Sequence, residues 1–130
     1  MPCKRFLLSK KGDIMNEVKA FIRARKAEKV VDGLEEQGFC CMTLLNLMGL
    51  GLMADPNKSK FSVNIAERFS KIVKLVVVCD ADQTQQVIDI ITKHARSGQR
   101  GDGIIYVTPV SQSVHIRTGV TGKGFLQTDK

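Results

Sequence analysis

Apolar and polar positions alternate from Glu17 to Arg23, with Val18, Ala20 and Ile22 on one side, which is the period of a half-buried strand. The period then lengthens. Over 26–37, Ala27, Val30, Val31 and Leu34 share one helical face while Lys26, Glu28, Lys29, Asp32, Glu35 and Glu36 occupy the rest, and Gly38 marks the stop. Residues 39–48 are apolar and turn-free, predicting a second, largely buried strand that Gly49-Leu50-Gly51 breaks. From Leu52 to Ser70 no periodicity emerges, and Asp55-Pro56-Asn57-Lys58-Ser59-Lys60 is rich in turn formers. Structureless stretches longer than about 12–15 residues inside compact domains are usually functional or disordered, which makes 52–70 a candidate functional loop. A third strand is predicted at 71–79 and a second helix at 82–97, carrying Val87, Ile90, Ile91 and His94 at helical spacing. Gly98 ends that helix, 104–108 form a fourth strand, and Ser113 to Thr118 a short extended piece.

The order β-α-β-loop-β-α-β predicts an α+β, ferredoxin-like βαββαβ domain with two helices over one face of an antiparallel sheet. It spans 15–119, leaving 1–14 as an N-terminal extension and 120–130 as a C-terminal tail. A chain of 130 residues suits one domain of this kind. Its apolar runs are far shorter than the roughly 20 residues a membrane-spanning helix needs, so no direct membrane insertion is expected.

Charge narrows the function classes. The balance is +7, with basic clusters at Lys4, Arg5, Lys10 and Lys11 and at Arg23, Arg25, Lys26 and Lys29. With one Tyr, six Phe and no Trp, no aromatic residues interleave with a basic stripe, so nucleic acid is not the expected partner. The four cysteines, Cys3, Cys40, Cys41 and Cys79, form no C-x-x-C pair, and a reducing cytoplasm is the simplest location. Only His94 and His115 are available as histidines, and no Ser-His-Asp or Cys-His arrangement appears, so no enzyme activity is expected. An alternative reading is metal binding through Cys40, Cys41, Cys79 or the histidines, by a chain that resembles the ferredoxin-like, trimeric divalent-cation-tolerance proteins. Adjacent strand residues such as Cys40 and Cys41 point to opposite faces, which works against a shared metal.

The segment Ala95-Arg96-Ser97-Gly98-Gln99-Arg100-Gly101-Asp102-Gly103-Ile104-Ile105-Tyr106-Val107 resembles the signature of the PII signal-transduction family, A-x-T-G-x-x-G-D-G-x-I-F-V. Cys41-Met42-Thr43, Gly49-Leu50-Gly51 and Ile116-Arg117-Thr118-Gly119 are similar to further family motifs, and the pattern runs without a gap from Met15 to about Gly119. The resemblance implies a homotrimer that binds an adenine nucleotide in clefts between subunits. It places Met42, Thr43, Gly49, Leu50, Gly51, Gly98, Gln99, Arg100, Gly101, Asp102, Gly103, His115 and Arg117 at the nucleotide, with Lys71 beside a further family lysine position that Ile72 occupies here. Physically, Gly98, Gly101 and Gly103 allow sharp bends and offer unshielded N–H groups to phosphate oxygens. Arg117 brings a bidentate cation and Thr43 a hydroxyl. Asp102 reads as a turn stabiliser, since a carboxylate repels phosphate.

The resemblance also implies that loop 52–70 docks into a partner, a membrane transporter or a metabolic enzyme, with Lys58, Lys60, Glu67 and Arg68 as a polar contact surface. Three departures matter. Leu52-Met53 stand where the family has Arg-Gln, Ile104 replaces the lysine after G-D-G, and His115 replaces the first arginine of R-x-R. The expected effector is therefore ADP or AMP holding up against ATP, and neither magnesium nor chelated 2-oxoglutarate is expected as a co-ligand. Tyr106 is the only tyrosine and lies in a strand, so the nucleotidylation that many members undergo on their loop is not expected.

Overall fold

The structure, a computed structural model, describes residues 14–39, 41–49 and 70–121. Loop residues 50–69, with Leu50, Gly51, Lys58, Lys60, Glu67 and Arg68, lie outside the described residues, as do 1–13, Cys40 and 122–130. The elements are β1 (Met15–Arg23), α1 (Ala24–Glu36), β2 (Met42–Gly49), β3 (Ser70–Asp80), α2 (Thr84–Ala95) and β4 (Gly103–Val110). A single 3-10 turn over Ala81–Gln83 leads into α2. The four strands form one antiparallel sheet in the order β2-β3-β1-β4, the predicted ferredoxin-like arrangement.

Register follows from alternation. Val18, Ala20 and Ile22 lie opposite Val77, Leu75 and Val73, and all six are buried beneath the helices. Val30 and Leu34 of α1 and Val87 and Ile91 of α2 close that core from above. Where the two helices meet, Gly33 gives room to the His94 ring: a Cβ there would lie 2.6 Å from its Cδ2 and Nε2. The stop after α1 is a Schellman motif. Gly38 takes φ 88°, its N–H donates to Glu35 O, and Phe39 N–H donates to Leu34 O, both at 2.9 Å. Phe39 folds onto Leu34 in the core, the hydrophobic contact that accompanies this motif.

Three expectations need correction. The second strand starts at Met42 rather than 39, because Phe39 is spent on the helix stop, and it is not largely buried. It is an edge strand: Leu44, Leu45, Leu47 and Met48 are exposed, Met48 by 71%. An apolar run looks the same at an edge as in a sheet centre, so the pattern could not tell the two apart. The second helix stops at Ala95, two residues before its expected end, with Arg96 turning extended. Ser113 to Thr118 is not an extended piece. It holds one antiparallel bridge, Val114 with Thr121, around a turn at Ile116–Thr118, closed by His115 N–H to Val120 O and Gly119 N–H to His115 O.

Candidate functional site

The connection from α2 to β4 is built around one carboxylate. Asp102 accepts the N–H groups of Ser97 and Gly98, each at 2.9 Å, and the Ser97 hydroxyl. Ser97 Oγ accepts the Gln99 N–H at 3.2 Å. The Ser97 hydroxyl first, then the two backbone N–H groups and the Arg23 charge, hold the Asp102 carboxyl below its ordinary value. Asp102 is therefore an ionised turn brace, as its place between glycines implies. The Gly98 N–H, expected to face a phosphate, is engaged by this carboxylate four residues on.

Gly98 and Gly101 take φ 85° and 82°, left-handed values that side chains disfavour. Gly103, the first residue of β4, lies opposite Ile22, and a Cβ there would come within 2.0 Å of Phe21 O. Arg23, which the sequence placed only in a basic cluster, reaches this turn across 77 residues of chain: its Nη2 donates to Arg100 O at 2.8 Å. Beside the turn lies a cleft of about 370 Å³ with buried Ile22, Ile91 and Ala95 among its walls and Arg96 and Asp102 at its polar side. That size is at the lower end for small-molecule sites, about 300–1,000 Å³.

The other expected contacts lie elsewhere. Met42 and Thr43 sit on β2 and the glycine turn adjoins β4, at opposite edges of the sheet. With β3 and β1 between them, three spacings of about 4.8 Å separate these edges by roughly 14 Å. Gly49 and Lys71, paired through Ser70 and Met48, lie at the same sheet end as the turn, Lys71 exposed. His115 and Arg117 follow the far end of β4, where Val110 pairs with Met15. Seven residue steps of about 3.4 Å carry β4 roughly 24 Å from Gly103 to Val110. Arg117 is exposed on the turn beyond, and His115 Nδ1 lies 3.0 Å from Thr118 Oγ1. β4 therefore carries the chain away from the glycine turn before Arg117 is reached.

Residues 15–120 match the family described as Nitrogen regulatory protein P-II. The chain belongs to the P-II family. It is 34% identical over 109 residues to Nitrogen regulatory protein P-II 1 of Methanothermobacter thermautotrophicus, covering 84% of this chain and 95% of that one. It is 33% identical over 105 residues to Nitrogen regulatory protein P-II of Nostoc punctiforme, covering 81% and 94%. Among solved structures it is similar to Arabidopsis thaliana PII bound to citrate, with a TM-score of 0.68 and 29% identity over 85% of this chain and 87% of that one. As a P-II member it is a regulatory protein.

Among the described residues, no group of three or more His, Cys, Asp or Glu side chains is placed to hold a metal ion. Cys79 is buried and Cys41 exposed just before β2. Burial pushes the Cys79 thiol up, against the lowering effect of the Thr84 hydroxyl 3.7 Å away, so it packs as a small apolar group. No helix among the described residues is long and apolar enough to cross a membrane.

Proposed function

We propose that the chain is one subunit of a homotrimeric cytoplasmic sensor, without enzymatic activity, that binds an adenine nucleotide between subunits and signals through loop 52–70. The observation that carries this reading is the division of the expected contacts. Gly98–Gly103 and Gly49 lie at one end of the sheet, while Arg117 follows a strand that leads to the other end and Thr43 lies on the opposite edge. A neighbouring copy that presents Met42, Thr43, His115 and Arg117 to this chain's glycine turn completes the cleft. The apolar side chains left exposed on both edges, Leu44, Leu45 and Leu47 on β2 and Ile104, Tyr106 and Val107 on β4, support self-association. The citrate bound by the Arabidopsis relative is a polyanion, which agrees with an anion-seeking site.

Each charge-assisted hydrogen bond contributes about 1.5–3 kcal/mol, so Ile104 and His115 in place of two cations weaken a triphosphate more than a monophosphate. ADP or AMP is then the effector that holds up against ATP, and Leu52-Met53 leave magnesium and 2-oxoglutarate without their familial contact. Nucleotide binding shifts the population of loop conformations, and a coupling of about 1–3 kcal/mol changes partner affinity roughly 5–150-fold. The partner is a membrane transporter or a metabolic enzyme. The test is calorimetric titration with ATP, ADP and AMP, with and without magnesium and 2-oxoglutarate, alongside Arg117→Ala. Saturable binding that the substitution abolishes supports the reading, and absence of binding to all three nucleotides refutes it.

A further inference from the structure

Arg23 is the last residue of β1, paired on one side with Ile72 of β3. On its other side β4 has not yet begun, since Gly103 pairs with Ile22, so the neighbour of Arg23 there is the glycine turn. The guanidinium fills this gap. Its Nη2 donates to the Arg100 carbonyl at 2.8 Å, and its Nε is buried with no hydrogen-bond partner among the described residues. The rest of the turn has its own hydrogen bonds, with only the Arg23 charge acting on it at a distance: Asp102 binds Ser97 and Gly98, and Gly103 lies against the Phe21 carbonyl. The hydrogen bond from Arg23 falls on the Arg100–Gly101 peptide.

That peptide has a defined direction. All described peptide bonds are trans, and in a trans peptide the carbonyl and the following N–H point to opposite sides. With its oxygen turned to the Arg23 guanidinium, the Arg100–Gly101 unit directs the Gly101 N–H away from that guanidinium. Because Ser97 and Gly98 already donate to Asp102, Gly101 is the glycine of the turn whose donor this geometry aims outward.

We propose that Arg23 is a positioning residue for anion binding, fixing the Arg100–Gly101 peptide so that the Gly101 N–H faces a ligand phosphate. This inference rests on the nucleotide reading above for its ligand, but its structural half can be tested without one. Arg23→Met removes the anchor and Arg23→Lys restores a charged donor without the fork. Three quantities are compared in the full-length protein: AMP and ADP affinity by calorimetry, the Gly101 amide resonance, and the melting temperature. The expected result for Arg23→Met is a loss of affinity of about tenfold or more, as for removal of a charge-assisted bond, with a displaced Gly101 resonance and partial recovery of both in Arg23→Lys. Wild-type affinity in Arg23→Met overturns the proposal. Should Arg23→Met not fold, Arg23→Lys decides: binding and a Gly101 resonance like the wild type's, despite the lost fork, overturn it. If the wild type binds no nucleotide, the function reading fails first, and an unmoved Gly101 resonance in the variants then overturns the inference about Arg23.

Discussion

Asp102 does more for the turn than any glycine in it, because one carboxylate gathers two backbone donors and a hydroxyl. Its carboxyl lies below its ordinary value, so its contribution is present above the unfolded value of about 3.9 and is lost as pH falls through the lower folded value. The Gly98 amide resonance should therefore hold steady from pH 7 to about 4 and move only below that, whereas Asp102→Asn should remove the transition. A wild-type resonance that already shifts near pH 5–6 would contradict the bracing role. The cysteines allow a second check. Cys41 is exposed and Cys79 buried with its thiol pushed up, so mass-mapped labelling of the native protein at mild alkaline pH should modify Cys41 within minutes and spare Cys79 until denaturant is added.

Helices and strands here meet at glycines that the hydrophobic pattern did not single out. Gly33 sits mid-helix, where alanine is better by about 1 kcal/mol in propensity, yet its missing Cβ is the space the His94 ring fills. Gly33→Ala should lower stability by about 1–2 kcal/mol as overpacking outweighs propensity, and should raise it in a His94→Ala background. Thermal or urea melts of the four combinations decide; equal effects in both backgrounds would show that the two residues do not compete for that space. The register of β4 is equally exacting. A Cβ at Gly103 would overlap the Phe21 carbonyl at φ 129°, so Gly103→Ala should cost about 2 kcal/mol or more and loosen β4 from β1, read as faster amide exchange at Ile104 and Ile105. Alternation marks β1, the 3.6-residue period marks both helices and apolar runs mark the other strands, and the sequence differs from the structure where such runs carry no information about exposure. The exposed edge of β2 reads like a core strand, and the helix stop at Ala95 is set by Asp102 drawing Ser97 and Gly98 into the turn.

A site divided between subunits makes a prediction about mixtures. In the proposed arrangement Arg117→Ala removes the half offered to a neighbour, and Gly101→Val the half at the glycine turn, where φ 82° resists a branched side chain. Each variant alone should fail to bind nucleotide. Co-refolded in equal amounts, they should regain about a quarter of the sites, since random pairing places an intact turn beside an intact arginine that often. No recovery would mean that both halves belong to one chain. Recovery also shows that the chains associate, because an intact site then takes its halves from two subunits.

Much of this protein was legible in its residues alone. The βαββαβ order, the core positions Val18, Ala20, Ile22, Val30, Leu34, Val87 and Ile91, and the glycine turn of the P-II signature all follow from local periodicity and local backbone freedom, which short stretches of chain encode. The position of Arg23 did not follow. It depends on the sheet order, which brings the end of β1 against a turn 77 residues away, and on register, which starts β4 one residue short and leaves room for a guanidinium. Pairing across such distances is settled by which strands share a buried face, and no window of sequence contains both partners.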